Sequence, residues 1–371
     1  MRFHCTSTWL ARALWLFALI SFGCGEKDSG PVTGPPEVGP PEVDPPGGDP
    51  PDVVDGGWWD GFGQDNAPDG VVRHLAALRD RLVIAGDFTK VGSLPASGMA
   101  FWDGTAWSAP APPPEGVHWL LAEGDILVAG GPALGFRRWS GTDWVEAAPA
   151  RSDAVASALK DGLVHIATGD AGTVERYRDG RWEVIASPSP PSPSALAPRI
   201  RAYGLAVCGG DIHVALDRIE GMMWFQTAVV ARVRNGGYDP ELEIGGQDNT
   251  SSGIDHLNSA DGQLIAAWSF GSPGGNADGV ECWLGGVTRR TLASNLSLLV
   301  RGSNVLDGSF YLADFHTVLV TDPGQATPES LGTVESGEIL DAESFEGSVF
   351  VCGTFTGISG VESFHLARWT P

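Results

Sequence analysis

One short apolar segment recurs seven times along the sequence, and this repetition restricts the fold more than any other feature. Each copy is rich in Val, Ile, Leu and Phe and follows a second apolar run and a polar turn such as Lys160-Asp161-Gly162. Two apolar runs joined by a Gly-containing polar turn are typical of a β-hairpin. The seven copies are residues 82–88, 126–131, 163–170, 212–217, 264–270, 310–315 and 349–355.

A second hairpin signal follows three of these copies. In residues 101–107, FWDGTAW, an aromatic residue precedes a Gly-containing turn, and Trp107 follows five residues after Trp102. Residues 138–144 and 176–182 repeat this spacing. Cross-strand aromatic pairs pack well between neighbouring sheets. We therefore expect these aromatic residues to be structural.

The repeats predict an all-β, seven-bladed β-propeller over residues 56–371. Seven units in 316 residues give about 45 residues per unit, which suits a four-stranded propeller blade rather than a solenoid turn. Six- or eight-bladed rings remain alternatives. The last unit, ending at 364–371, has a third strand but no fourth, whereas residues 58–62 form an isolated strand before the first unit. We predict that this N-terminal strand completes the last blade and removes its open edge.

Two segments carry a resemblance to a known group. Residues 85–92 with 99–107, and residues 352–357 with 366–369, are similar to repeats of secreted bacterial β-propellers of the kelch-like, galactose-oxidase-central-domain-like group. The resemblance is strong in the first and seventh units and weak in the fourth to sixth. It implies the fold and leaves the activity open, because such propellers include both enzymes and binding proteins.

Residues 1–23 are predicted to be a signal peptide. Positive charge at Arg2 and Arg12 precedes an apolar run that is too short to span a bilayer. The run ends in Gly23-Cys24, which resembles a bacterial lipobox and implies lipidation of Cys24; ordinary cleavage after Gly23, still with export, is the alternative. Gly25, rather than Asp, follows the Cys, and its resemblance to the enterobacterial sorting pattern implies the outer membrane. The Pro-rich acidic segment 24–55 then serves as a disordered tether to the propeller.

The charge balance restricts the partners. Lys and Arg number 23 against 46 Asp and Glu, for a formal net charge of -23. A phosphate backbone needs cationic neutralisation, so nucleic acid is not an expected partner, and the membrane is reached only through the lipid anchor. Beyond Cys24, the cysteines Cys208, Cys282 and Cys352 match no metal-binding spacing, and we expect them to be small apolar core residues.

The candidate ligand-binding residues follow second strands or begin first strands. In a propeller these positions share one face around the channel mouth, where acids and imidazoles can bind a polar ligand or cation. The alternative is that the acids bond their own turns and the histidines are solvated. These residues are Asp87, Asp170, Asp217, Asp314, His74, His118 and His256, with Arg201 and Arg301 at similar places.

A calcium site is a further hypothesis. The Gln-Asp-Asn loops at 64–66 and 247–249 match each other, and Asp65 and Asp248 would supply carboxylate ligands. Turns closed by these side chains explain the loops equally well. No other cofactor is expected.

The sequence predicts a non-catalytic binding module of the cell envelope, with a protein, glycan or cation bound at the channel mouth. It contains no nucleophile elbow, zinc-protease motif or phosphate loop. The alternatives are an extracellular polysaccharide hydrolase or lyase that uses mouth Asp and His residues, and a purely structural envelope component.

Overall fold

The computed structural model describes residues 56–371 except 111–112, 114–115, 189–198, 221–224, 246–250, 273–274, 277–278, 285–287, 295–299, 324 and 326. The predicted signal peptide, Cys24 and the tether lie outside the described residues, as does Asp248.

The described chain consists of β-strands and one short 3-10 helix, Asp60–Phe62. The first strands in chain order are β1 (Gly57–Trp59), β2 (Val71–Ala77), β3 (Leu82–Asp87), β4 (Lys90–Val91), β5 (Leu94–Pro95), β6 (Met99–Trp102), β7 (Trp107–Ser108), β8 (Trp119–Glu123), β9 (Ile126–Gly131), β10 (Gly135–Trp139), β11 (Trp144–Ala148), β12 (Ala154–Lys160), β13 (Leu163–Thr168), β14 (Val174–Arg178), β15 (Arg181–Ala186) and β16 (Arg199–Cys208). The others are β17 (Asp211–Glu220), β18 (Phe225–Arg234), β19 (Gly237–Gly245), β20 (Ser251–Ala260), β21 (Gln263–Ser272), β22 (Gly275–Asn276), β23 (Gly279–Leu284), β24 (Thr288–Ser294), β25 (Gly302–Leu306), β26 (Ser309–Ala313), β27 (Thr317–Thr321), β28 (Glu329–Thr333), β29 (Ile339–Phe345), β30 (Ser348–Gly353), β31 (Gly357–Ile358), β32 (Val361–Glu362) and β33 (Leu366–Thr370).

Apart from β4 with β5 and β31 with β32, which form two small hairpins, these strands form seven antiparallel sheets arranged as the blades of a β-propeller, which confirms the predicted fold and blade number. The innermost strand of each blade contacts the innermost strands of both neighbours, so the contacts close a ring around the central channel. The innermost strands, from blade 1 to blade 7, are β2, β8, β12, β16, β20, β25 and β29.

The N-terminal strand closes this ring as predicted. The strand β1 lies at the outer edge of blade 7 and pairs antiparallel with β33, with Trp58 opposite Trp369. The paired segment is shorter than expected, because residues 60–62 turn into the 3-10 helix. That helix places Phe62 between blades 7 and 1, where its side chain is fully buried.

An aromatic cluster fills the space between blades 7 and 1. The Phe62 ring lies 4.8 Å from the Trp59 ring, 5.5 Å from Trp102 and 5.7 Å from Trp107, measured between centroids. The guanidinium of Arg368 lies 5.4 Å from the centre of the Trp59 ring. Apolar burial and cation–π attraction therefore reinforce the strand pairing that closes the ring.

The outer aromatic residues pack as the sequence predicted. Trp102 lies opposite Trp107 across its hairpin, and the equivalent pairs are Trp139 with Trp144 and Tyr177 with Trp182. The centroid distances are 5.0, 5.3 and 5.3 Å in that order. The three remaining cysteines, Cys208, Cys282 and Cys352, are buried and form no disulfide.

The Phe62 side chain should contribute strongly to stability. We expect Phe62→Ala to reduce the free energy of unfolding by about 3–5 kcal/mol, because it removes a buried ring and leaves a cavity. Urea unfolding followed by tryptophan fluorescence measures this loss. The matched control is Val184→Ala, at a side chain that is 61% exposed, which should change stability by no more than about 0.5 kcal/mol. Equal losses in the two variants would show that the aromatic cluster does not stabilise the closed ring.

Candidate functional site: a pocket at the channel mouth

A cavity of about 740 Å³ opens on the predicted mouth face, which is the face formed by the ends of second strands and the beginnings of first strands. It lies where blades 7, 1 and 2 meet. We call it the mouth pocket. Its lining includes Arg73, His74, Asp87, Ser97, His118 and Leu340. Three of the seven candidate residues, His74, Asp87 and His118, therefore line one pocket.

A β-bulge brings Arg73 to this pocket. In the pairing of β2 with β3, Val72 lies opposite Gly86 and His74 opposite Ala85, so Arg73 is an extra residue without a partner. Bulges redirect side chains and are frequent next to functional sites. The exposed Arg73 side chain consequently reaches the last residue of β3, Asp87.

Arg73 and Asp87 form an ion pair at the entrance. The Arg73 Nε and Nη2 atoms lie 2.8 and 2.6 Å from Asp87 Oδ2, and both hydrogen bonds end on that one oxygen. Both side chains are well exposed. The Asp87 carboxylate is thus compensated by a cation, Arg73, that was not among the predicted site residues.

The two histidines present imidazole rings to the same cavity. His74 is half-buried, and His118 is exposed just before β8. The pKa of His74 is lowered to about 4, mainly by burial and in part by the nearby charges of Arg73 and His118, while a hydrogen bond with the Val117 backbone opposes the shift. His74 is therefore neutral at pH 7 and offers hydrogen bonds without adding charge.

The same bulge recurs in the first strands of four other blades. The residue left without a partner lies at the mouth end of each strand. One of these residues is Tyr203, whose solvent exposure is 45%. The burial of the Tyr203 hydroxyl raises its pKa, and a hydrogen bond with Asp217 adds to the shift. The bulged residues equivalent to Arg73 are Val155, Tyr203, Asp255 and Leu340.

The other candidate acids do not join the mouth pocket. Asp170 is exposed and its Oδ1 lies 3.8 Å from the Arg201 Nε. Asp314 accepts hydrogen bonds from the backbone N–H groups of His316 and Thr317, so its carboxylate closes its own turn. This is the turn role that the sequence analysis gave as the alternative.

Asp217 requires a correction of its position. The sequence placed it directly after a second strand, but β17 continues to Glu220, and Asp217 is 2% exposed inside the strand. The hairpin of β17 and β18 pairs out to Glu220 and Phe225, which extends the ladder beyond the apolar pattern. The apolar run ends before the backbone pairing does, because ladder bonds are independent of side-chain polarity.

His256 and the Asp65 loop also lie apart from the pocket. His256 Nε2 lies 2.9 Å from Ser303 Oγ in the neighbouring blade, and burial lowers its pKa to about 4. Asp65 is exposed beside Asn66, whose side-chain amide donates to Gly61 O. Among the described residues, no group of three or more His, Cys, Asp or Glu side chains is arranged to hold a metal ion.

Two acids that the sequence analysis did not single out lie between the innermost strands. Asp341 Oδ2 accepts the Leu75 N–H at 2.9 Å, and Glu343 Oε1 accepts a hydrogen bond from the Asn304 side-chain amide at 2.8 Å. Withdrawal from water raises the pKa of Asp341 to about 7, and the nearby charge of Glu343 raises it as well. These carboxyls satisfy polar groups at the inner edges of neighbouring blades, which is a structural role.

The raised pKa of Asp341 makes stability depend on pH. The folded protein binds this proton more tightly than the unfolded chain, whose carboxyl has the ordinary value of 3.8. The stabilisation is complete below that value and is lost as the pH rises through about 7. We expect the melting temperature of the wild type to fall relative to Asp341→Asn between pH 5 and pH 8. The control is Asp60→Asn at an exposed position. If the melting temperatures of wild type and Asp341→Asn changed with pH in parallel, the raised pKa of Asp341 would be contradicted.

Comparison with known proteins supports the fold. No family model matches the chain, and no curated protein does either. Among solved structures, the extracellular domain of a putative hybrid two-component system from B. thetaiotaomicron matches 82% of this chain at 10% identity with a TM-score of 0.53. The present chain spans only 39% of that structure.

A second match covers nearly a whole solved domain. The β-propeller domain of Cps50 (Swd1) from Myceliophteria thermophila matches 83% of this chain and 99% of that chain, at 12% identity with a TM-score of 0.54. Identities this low establish the shared propeller architecture and not a shared activity. Within the described residues, no helix is long and apolar enough to cross a membrane.

Proposed function

We propose that this protein is an exported, envelope-anchored β-propeller that acts as a non-catalytic binding module, with its partner at the mouth pocket. The observation that carries the proposal is the cavity of about 740 Å³ in which the Arg73–Asp87 ion pair lies beside His74 and His118. Concave sites with a few convergent polar groups are the usual places for ligands. The propeller fold, shared with an extracellular bacterial domain, agrees with an interaction role outside the cytoplasm.

The mouth groups favour binding over catalysis. A hydrolase or lyase needs a group that carries a proton near neutral pH, within reach of the substrate. Asp87 is held by Arg73, Asp314 is occupied by its turn, and the pKa of His74 is far below neutrality. These three residues therefore give the alternative of a polysaccharide hydrolase or lyase no specific support, and His118 is the candidate imidazole that remains exposed in the pocket.

A protein segment is the partner that fits the pocket best. The entrance presents one cation and one anion side by side, which suits a peptide with neighbouring charges of both signs. Among the described residues, the pocket lining contains no Trp, Tyr or Phe on which a sugar ring can stack. Tyr203, exposed at another point of the same mouth face, adds an aromatic contact of the kind enriched at protein interfaces.

Selection from a displayed library of random peptides tests this partner class. Peptides selected on the full-length protein should bind Arg73→Glu at least roughly tenfold more weakly, because the variant removes the cation and repels ligand carboxylates. His118→Ala should weaken them as well. The matched control is Arg178→Glu, an exposed arginine at the end of β14, far from the mouth face in its blade. Peptides that bind all variants equally would contradict a peptide site at the mouth pocket.

The anchor is a separate part of the proposal, supported by the Gly23-Cys24 junction and the Pro-rich tether that follows it. In a bacterial host labelled with a palmitate analogue, the wild type should incorporate label, and Cys24→Ser should incorporate none, because lipidation needs the thiol. Cys208→Ser, at a buried position, is the control and should stay labelled. Equal labelling of the Cys24→Ser protein would refute lipidation at this residue.

A further inference from the structure

A second cavity lies on the face opposite the mouth, between blades 1 and 2. It has a volume of about 660 Å³ and is bounded by hairpin turns and by the ends of third strands. We call it the base groove. Its lining includes Arg81, Phe101, Asp125, Arg138, Trp139 and Val145. None of these residues belongs to the mouth pocket.

Comparison of two blades of the same chain identifies an unusual cation in the base groove. Arg138 in blade 2 and Arg176 in blade 3 occupy the same place in the repeated hairpin. Arg176 lies opposite Glu183, and its Nε and Nη2 atoms are both 3.2 Å from Glu183 Oε2. The residue opposite Arg138 is Val145.

Arg138 is consequently a cation without a carboxylate partner among the described residues. Val145, which replaces the acid, is 48% exposed, although an exposed β-branched apolar residue contributes little to folding. Arg81 in the same groove is already paired with Asp80 at 2.5 Å. The positive charge of Arg138 therefore remains available to a ligand.

An aromatic ring lies beside this cation. Trp139 is partly exposed, whereas its counterpart in blade 1, Trp102, is 2% exposed within the closing cluster. The Trp139 ring contacts the Phe101 ring edge to face, with centroids 6.1 Å apart. Arg81 lies over Phe101, 5.5 Å from its centroid, and Trp139 also packs against Trp144 at 5.3 Å, so the part of the Trp139 ring that remains exposed is the aromatic surface that the groove offers to a ligand.

We infer that the base groove binds an acidic saccharide, with a uronic acid carboxylate on Arg138 and a sugar ring on Trp139. A guanidinium binds a carboxylate through two parallel hydrogen bonds, and an indole ring packs against the apolar face of a pyranose. The carboxylates of Asp80 and Asp125 at the groove edge are paired with Arg81 and Arg79, and their remaining lone pairs can accept hydrogen bonds from hydroxyl groups. Because these pairings compensate the charges of the two acids, the groove does not exclude an anionic ligand, and the Trp139 ring, against which a pyranose packs, makes a saccharide a better fit than an acidic peptide.

The net charge of -23 does not prevent this binding. At physiological ionic strength, charges more than roughly 8 Å away are largely screened, so the groups within the groove dominate the interaction. A contact through Arg138 also implies that binding weakens as salt is added.

Calorimetric titration of the full-length protein with trigalacturonate tests the inference. The decisive variant is Val145→Glu, which recreates the ion pair of blade 3 and should weaken binding at least roughly tenfold by occupying Arg138. Val145→Gln is the matched control, because it has the same size without the charge and should retain affinity. Both substitutions are at an exposed position, and their melting temperatures verify folding.

Further arms separate this site from its alternatives. A neutral galactose trisaccharide should bind more weakly than trigalacturonate, and Trp139→Ala should weaken both. Arg73→Glu at the mouth pocket should leave trigalacturonate binding unchanged, so that the proposals for the two sites can be refuted independently. The inference is overturned if the wild type does not bind trigalacturonate, if Val145→Glu binds it as well as Val145→Gln, or if hexaglutamate binds equally well.

Discussion

The pairing of β1 with β33 is the interaction on which the rest of the structure depends. A propeller blade buries its two faces against neighbouring blades, so an open ring would expose the faces of its first and last blades to water. The strand Gly57–Trp59 covers the outer edge of blade 7, and Phe62 then fills the space toward blade 1. Because blades 7 and 1 are thereby held together, residues from both can meet at the mouth pocket.

The innermost strands impose a second constraint, because the backbone groups along their channel edges need hydrogen-bond partners. Polar side chains supply some of these partners. Each such strand has one edge toward the channel, where backbone groups lack a ladder partner. Asp341 accepts the Leu75 N–H from the next blade, and the Asn258 amide donates to Ser303 O at 2.7 Å. Buried carboxyls near a propeller channel can therefore be structural, and a raised pKa alone does not mark a catalytic acid.

Divergence between repeats distinguishes the surfaces that we propose as binding sites. The fold needs a hairpin at residues 138–144 and at 176–182, but it does not need the same cross-strand charges in both. Glu183 neutralises Arg176, while Val145 leaves Arg138 available. The bulged position of the first strands varies in the same way, and of the five bulges in the described residues the one in blade 1 carries an arginine. Comparing equivalent positions within one chain thus separates residues that build blades from residues available to a partner.

The sequence alone determined the number of blades, the strand that closes the ring and the packing role of the outer tryptophans, because these depend on alternation, spacing and turn chemistry that recur along the chain. It also placed Asp87, His74 and His118 on one face. Only the tertiary structure decided which of the predicted residues meet. The bulge that directs Arg73 to Asp87 cannot be recognised from the pattern of apolar residues. The strand β17 continues past Asp217 because backbone pairing extends beyond the apolar residues. The hydrogen bond between Leu75 N–H and the Asp341 carboxyl joins residues 266 positions apart, and such a contact follows from closure of the ring rather than from any local pattern.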